Sequence, residues 1–69
     1  MTLQQLHVTH TVGASGAPVG IVHNLPGPYT ALSPRQMFAI GQALLSAALD
    51  NLSRADLANS VQAEYQLVE

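Results

Sequence analysis

Val61-Gln62-Ala63-Glu64-Tyr65-Gln66-Leu67-Val68 is the stretch whose reading decides the fold. From 61 to 67 apolar and polar residues alternate without error. On a strand Val61, Ala63, Tyr65 and Leu67 share one face, while Gln62, Glu64 and Gln66 share the other. The same segment also supports a helical stripe of Leu57, Val61, Tyr65 and Val68. The unbroken alternation favours the strand over residues 61–68, which gives the chain a third strand to set beside an N-terminal hairpin.

The 34–59 segment before it reads as helical. In Ser33-Pro34-Arg35-Gln36 the serine can cap exposed N–H groups, proline suits the first helical position, and Gln36 completes a capping box. Leu32 and Met37 are placed for a hydrophobic staple. Met37, Phe38, Ile40, Leu44, Leu45, Ala47, Ala48, Leu49 and Leu52 then cover an arc wider than the single stripe of a surface helix. Two surfaces have to cover it. Near residue 50 two signals compete. Asp50 and Arg54 would pair on a continuous helix, whereas Ser53-Arg54-Ala55-Asp56 resembles a fresh start capped by Ser53. The reading adopted is a bend near Asn51 and a short second helix to about Asn59.

Further upstream, residues 6–25 read as a β-hairpin. Leu6, Val8 and Val12 alternate with His7, Thr9 and Thr11, and His10 is the odd member of the inner face. Gly13-Ala14-Ser15-Gly16 supplies the turn, and Val19, Ile21 and Val22 mark the second strand. Pro18 cannot donate to a ladder, so that strand starts after it or lies at an edge. Residues 26–33 form a rigid Pro/Gly loop. The expected fold is α+β: a small antiparallel β-sheet of hairpin plus C-terminal strand, packed on one long helix and a short second helix, ββα(α)β. If the third strand lies beside the first, in order 2-1-3, the sheet is wholly antiparallel with two open edges.

Sixty-nine residues leave room for one small domain, residues 1–69. Only two basic and four acidic residues are present, 9% charged, against about 25% in ordinary soluble proteins. Two basic side chains cannot neutralise the roughly six to ten phosphates that DNA binders contact, so no nucleic-acid partner is expected. Met37 to Leu49 is interrupted by Gly41, Gln42 and Ser46, too short and too mixed for a span of about 20 residues, so no membrane partner is expected. Met1-Thr2-Leu3-Gln4-Gln5 has neither a basic nor an apolar signal region, which makes a cytoplasmic location the expectation. The chain has no cysteine, hence no disulfide framework and no thiolate chemistry. A small chain without staples relies on an unusually good core or on oligomerisation.

No constellation in the sequence points to catalysis. Ser33 and Ser53 read as caps, and Ser15, Ser46 and Ser60 lie in no nucleophile elbow. Gly13–Gly16 lacks the Gly-Lys-Ser/Thr ending of a phosphate loop. His7 and His10 leave opposite strand faces and cannot close on one ion. His10 and His23 could meet across the hairpin, where they would line a small-ligand groove with Tyr29, but no metal and no cofactor is expected. Pro26, Pro28 and Tyr29 form a pre-ordered apolar surface with one aromatic, the kind of residue enriched at binding hot spots. Arg35, a cation in the first helical turn where it opposes the dipole, is a candidate partner contact.

The leading expectation is therefore a non-catalytic protein-interaction module, homodimeric, acting as a small regulator or inhibitor by binding a larger protein. Phage-encoded anti-defence proteins fall in this size class, an analogy that no residue carries. The alternatives are a small-ligand or nucleotide-binding dimer and a structural or assembly subunit. Residues 1–34 carry no charged side chain, and that uncharged half with its open edges is where a partner is expected.

Overall fold

In the computed structural model, which describes residues 4–68, strand β1 (Gln5–Val12) runs through the middle of a three-stranded antiparallel sheet. β2 (Pro18–Val22) lies on one side of it and β3 (Val61–Gln66) on the other, the order 2-1-3. The fold is the expected α+β arrangement.

Gly13–Ala17 turn the hairpin. The Gly13 N–H donates to the Ala17 carbonyl at 2.8 Å and the Gly16 N–H to the Gly13 carbonyl at 2.9 Å. Gly16 has φ +82°, a backbone state that glycine takes at no steric cost. Pro18 opens the second strand, and that strand is an edge, which spares the ladder its missing donor. β2 stops at Val22, short of residue 25. Beyond it the Asn24 side chain takes over, accepting from the His7 N–H at 2.9 Å and donating to the Gln5 carbonyl at 2.7 Å.

Helix α1 spans Pro34–Ser53. Its capping box is complete: Ser33 Oγ accepts from the Gln36 N–H at 3.1 Å, and Gln36 Oε1 accepts from the Ser33 N–H at 2.8 Å. The expected bend near Asn51 is absent, and the helix continues to Ser53. Two things hold residue 51 in helical geometry. Asp50 pairs with Arg54 one turn on at 3.1 Å, and the Asn51 amide is engaged across the interior by His10 and Val19. Ser53 does not cap a new helix, because its hydroxyl donates to the Asp50 carbonyl instead. The expected short second helix is a single 3-10 turn, Leu57–Asn59, which ends at Asn59 as expected but starts later and has no side-chain cap.

β3 obeys the alternation: Leu6 faces Tyr65, Val8 faces Ala63 and His10 faces Val61, while His7 faces Glu64 and Thr9 faces Gln62. The core is Leu6, Val8, Ala43 and Ala47, with Val22, Tyr65 and Leu67 packed against it. Four helical residues are buried, Ala39, Ile40, Ala43 and Ala47, and three of the four are alanine. The helix thus lies on the sheet mainly through alanine.

Candidate functional site

Most of the large apolar side chains of α1 are among those it does not bury. Met37, Phe38, Leu45, Leu49 and Leu52 all stand exposed, Phe38 at 65% and Leu52 at 76%, while Ala43 beneath them is at 3%. At about 3.6 residues per turn these side chains occupy the side of the helix opposite the sheet. They continue round one flank into a groove of about 380 Å³ between α1 and β2, whose walls include Leu44, Ala48 and Leu52 on the helix and Gly20 and Val22 on the strand. Gly20 keeps that wall low, since a Cβ there would stand 3.3 Å from Val8 Cγ1. The wide apolar arc called for two covering surfaces. The sheet supplies one.

A second feature is the loop before α1. The Thr30 N–H donates to the Gly27 carbonyl at 3.3 Å and the Thr30 hydroxyl donates to the same oxygen at 2.7 Å. Proline fixes a negative φ at the first central position of this turn, and Tyr29 at the second has φ +64°. That combination is a type II turn, in which glycine is the usual residue at the second position. Tyr29 therefore holds a left-handed conformation at a cost of about 1–2 kcal/mol, and its ring is wholly exposed. Pro28 beside it is exposed and Pro26 half-buried. Among the described residues its hydroxyl has no hydrogen-bond partner, and the ring is left to solvent. Arg35, a turn further on, is also exposed and has no ion-pair partner among the described residues.

The third feature is internal. His10 has no exposed surface. The Asn51 amide nitrogen donates to the Val19 carbonyl at 3.0 Å, which can only accept, so this nitrogen also donates to His10 Nδ1 at 2.8 Å. The imidazole proton is therefore on Nε2, which donates to the Tyr65 oxygen at 2.5 Å. Tyr65 passes its own proton towards Asp50 Oδ2, and Arg54 donates to that carboxylate at 3.1 Å. The hydrogen bonds run in one direction from helix to β1 to β3 and back to the helix. Bonding from Tyr65, helped by Arg54 and His10, holds the Asp50 carboxyl below its ordinary range despite its partial desolvation. Burial, and then the bond to Asp50, push the Tyr65 phenol up to about 12. The network ties β1 and β3 to α1, and His10, with no exposed surface, lies with Asn51 at the floor of the groove between α1 and β2.

The proposed meeting of His10 and His23 does not occur. Val8 pairs with Val22 and His10 with Gly20, so even-numbered residues of β1 and β2 share the inner face. His23 falls on the outer face, where its Nε2 lies 2.7 Å from Thr9 Oγ1. Tyr29, fully exposed, lines no groove with His10. His23 instead shares a concavity of about 590 Å³ on the outer sheet face with His7, Gln62 and Glu64, in which His7 Nδ1 and Glu64 Oε1 are 3.4 Å apart. Among the described residues no group of three or more His, Asp or Glu side chains is placed to hold a metal ion.

Asn51 and Asp50 escaped notice as a site because their partners lie on other strands, 41 and 15 residues away. The only local trace was the Asp50 and Arg54 spacing. No protein-family model, curated protein or solved structure matches the chain.

Proposed function

We propose that this chain is a non-catalytic protein-interaction module, homodimeric, that acts as a small regulator or inhibitor by occupying a surface of a larger protein. The observation that carries the reading is the inverted use of α1, which buries alanines and leaves Phe38, Leu45, Leu49 and Leu52 outside. Exposed apolar patches of this extent mark interaction surfaces. Tyr29 supports the same reading, because local strain tends to persist where function needs it, and a rigid, exposed tyrosine loses little entropy when it is covered.

The test is a photo-reactive amino acid placed at position 29, and separately at Gln62 on the outer sheet face, in cells that produce the chain. A covalent adduct to one larger protein from position 29 and none from position 62 is expected. Tyr29→Gly then separates binding from folding. It removes the left-handed strain, so thermal stability should hold within about 1 kcal/mol or rise, while affinity for the adducted protein falls at least about tenfold, as for loss of an interface anchor. Absence of any adduct at position 29, or unchanged affinity in Tyr29→Gly, would overturn this contact.

A second reading rests on the outer-face concavity. His7, His23 and Glu64 could hold a small polar ligand there, and a thermal shift of the chain by a nucleotide or metabolite panel, abolished in His23→Ala, is its measurement.

A further inference from the structure

We infer that the outward face of α1 is covered by α1 of a second copy, running antiparallel about a two-fold axis at Leu45. This rests on the homodimeric reading above and specifies its interface. Three large side chains recur every seven residues, Phe38, Leu45 and Leu52, with the small Gly41 and Ala48 between them. That is the spacing of a coiled-coil seam, and all five lie on the helix face opposite the sheet.

The pattern complements itself when reversed about its centre. With Leu45 on the axis, Phe38 meets Leu52 of the second copy, and Leu49 of the second copy stands over Gly41, where there is no side chain to displace. An isologous contact requires this self-complementarity. In area the exposed fractions of Met37, Phe38, Leu44, Leu45, Leu49 and Leu52 amount to at most roughly 700 Å² per copy, with Met37 and Leu44 on the flank of the seam, against the ~800 Å² per partner of a stable interface.

Charge agrees with the direction. Alone, Arg35 is a cation at the positive end of its own helix, and no acidic residue occupies that first turn. In the antiparallel pair it lies about 15 Å from the axis, beside the C-terminal carbonyls of the second helix, where a cation is favoured. Asp56 lies just past that helix end, half-exposed and held by Arg54 only at 3.5 Å, and is available to Arg35 of the second copy. A parallel pair would set Arg35 against Arg35. The result is a sheet–helix–helix–sheet stack.

Sedimentation and cysteine pairing test this. The native chain should sediment as a dimer. Leu45→Asp and Leu45→Lys should each weaken self-association at least about 30-fold, the scale of a hot spot, and an equimolar mixture of the two should dimerise again. Since the chain has no cysteine, introduced thiols report register without background, even if a Leu45 variant does not fold. Phe38→Cys mixed with Leu52→Cys should cross-link under mild oxidation, and Phe38→Cys alone should not. Dimers that survive both Leu45 variants, or efficient cross-linking by Phe38→Cys alone, would overturn the proposed seam. A monomeric native chain would also overturn it, whereas an adduct from position 29 would still stand for the larger-protein contact.

Discussion

The two faces of α1 use apolar side chains in opposite ways. Towards the sheet the helix presents Ala39, Ile40, Ala43 and Ala47, and towards the outside Phe38, Leu45, Leu49 and Leu52. A fold that had to stand on its own helix packing would place the larger residues inside, because each adds roughly 1.5–3 kcal/mol when fully buried. The inward face is instead shaped for close approach. Its apolar part sits on Leu6 and Val8, and at its C-terminal end polar groups replace apolar ones through Asn51, His10, Tyr65 and Asp50.

The inward face should be fragile and the outward face tolerant. The largest loss is expected from His10→Ala, which opens a cavity and leaves the Asn51 amide short of an acceptor and Tyr65 short of a donor. Chemical denaturation should register about 3 kcal/mol. Ala47→Leu forces extra volume between α1 and β1 and should cost about 2 kcal/mol. Leu49→Ala on the other side should change the stability of the dilute, dissociated chain by less than about 0.5 kcal/mol. Similar losses for the last two would erase the contrast between the faces.

Acidity probes the polar end separately. The folded pKa of Asp50 lies below its unfolded value, so its contribution is complete above the ordinary carboxyl range and is lost as pH falls through the folded value. Tyr65 behaves in the opposite sense. Its pKa rises from 10.0 to about 12, so its contribution is complete below pH 10 and is lost as pH rises through 12. Melting temperature measured across pH should show both limbs, with Asp50→Asn flattening the acid one and Tyr65→Phe the alkaline one. Unchanged limbs in the variants would remove these two groups as the cause.

Much of the fold was legible because its signals are local or periodic. The alternation from Val61 to Leu67, the capping box at Ser33 and the early proline of β2 each describe a neighbourhood of a few residues. The outward apolar surface was legible as well, since the arc from Met37 to Leu52 was too wide for one covering layer. What escaped depends on distance. Ser53 resembles a cap until Asn51 is seen anchored to His10, and the face His23 takes depends on how many residues the hairpin turn contains. Tyr29 could be singled out as an aromatic in a proline loop, but its left-handed backbone is set by the turn closed between Gly27 and Thr30.

The central position of β1 has a kinetic consequence. Its pairing with β2 closes across five residues and can form early, whereas its pairing with β3 joins segments separated by most of the chain. Contacts between distant segments slow folding, because loop closure comes before the reward of pairing. Until β3 arrives, one side of β1 offers its N–H and C=O groups to any extended segment, including β3 of a neighbouring molecule. Exchange of that last strand between two growing chains is then the misassembly this topology most invites, and dilution during refolding is the condition that suppresses it.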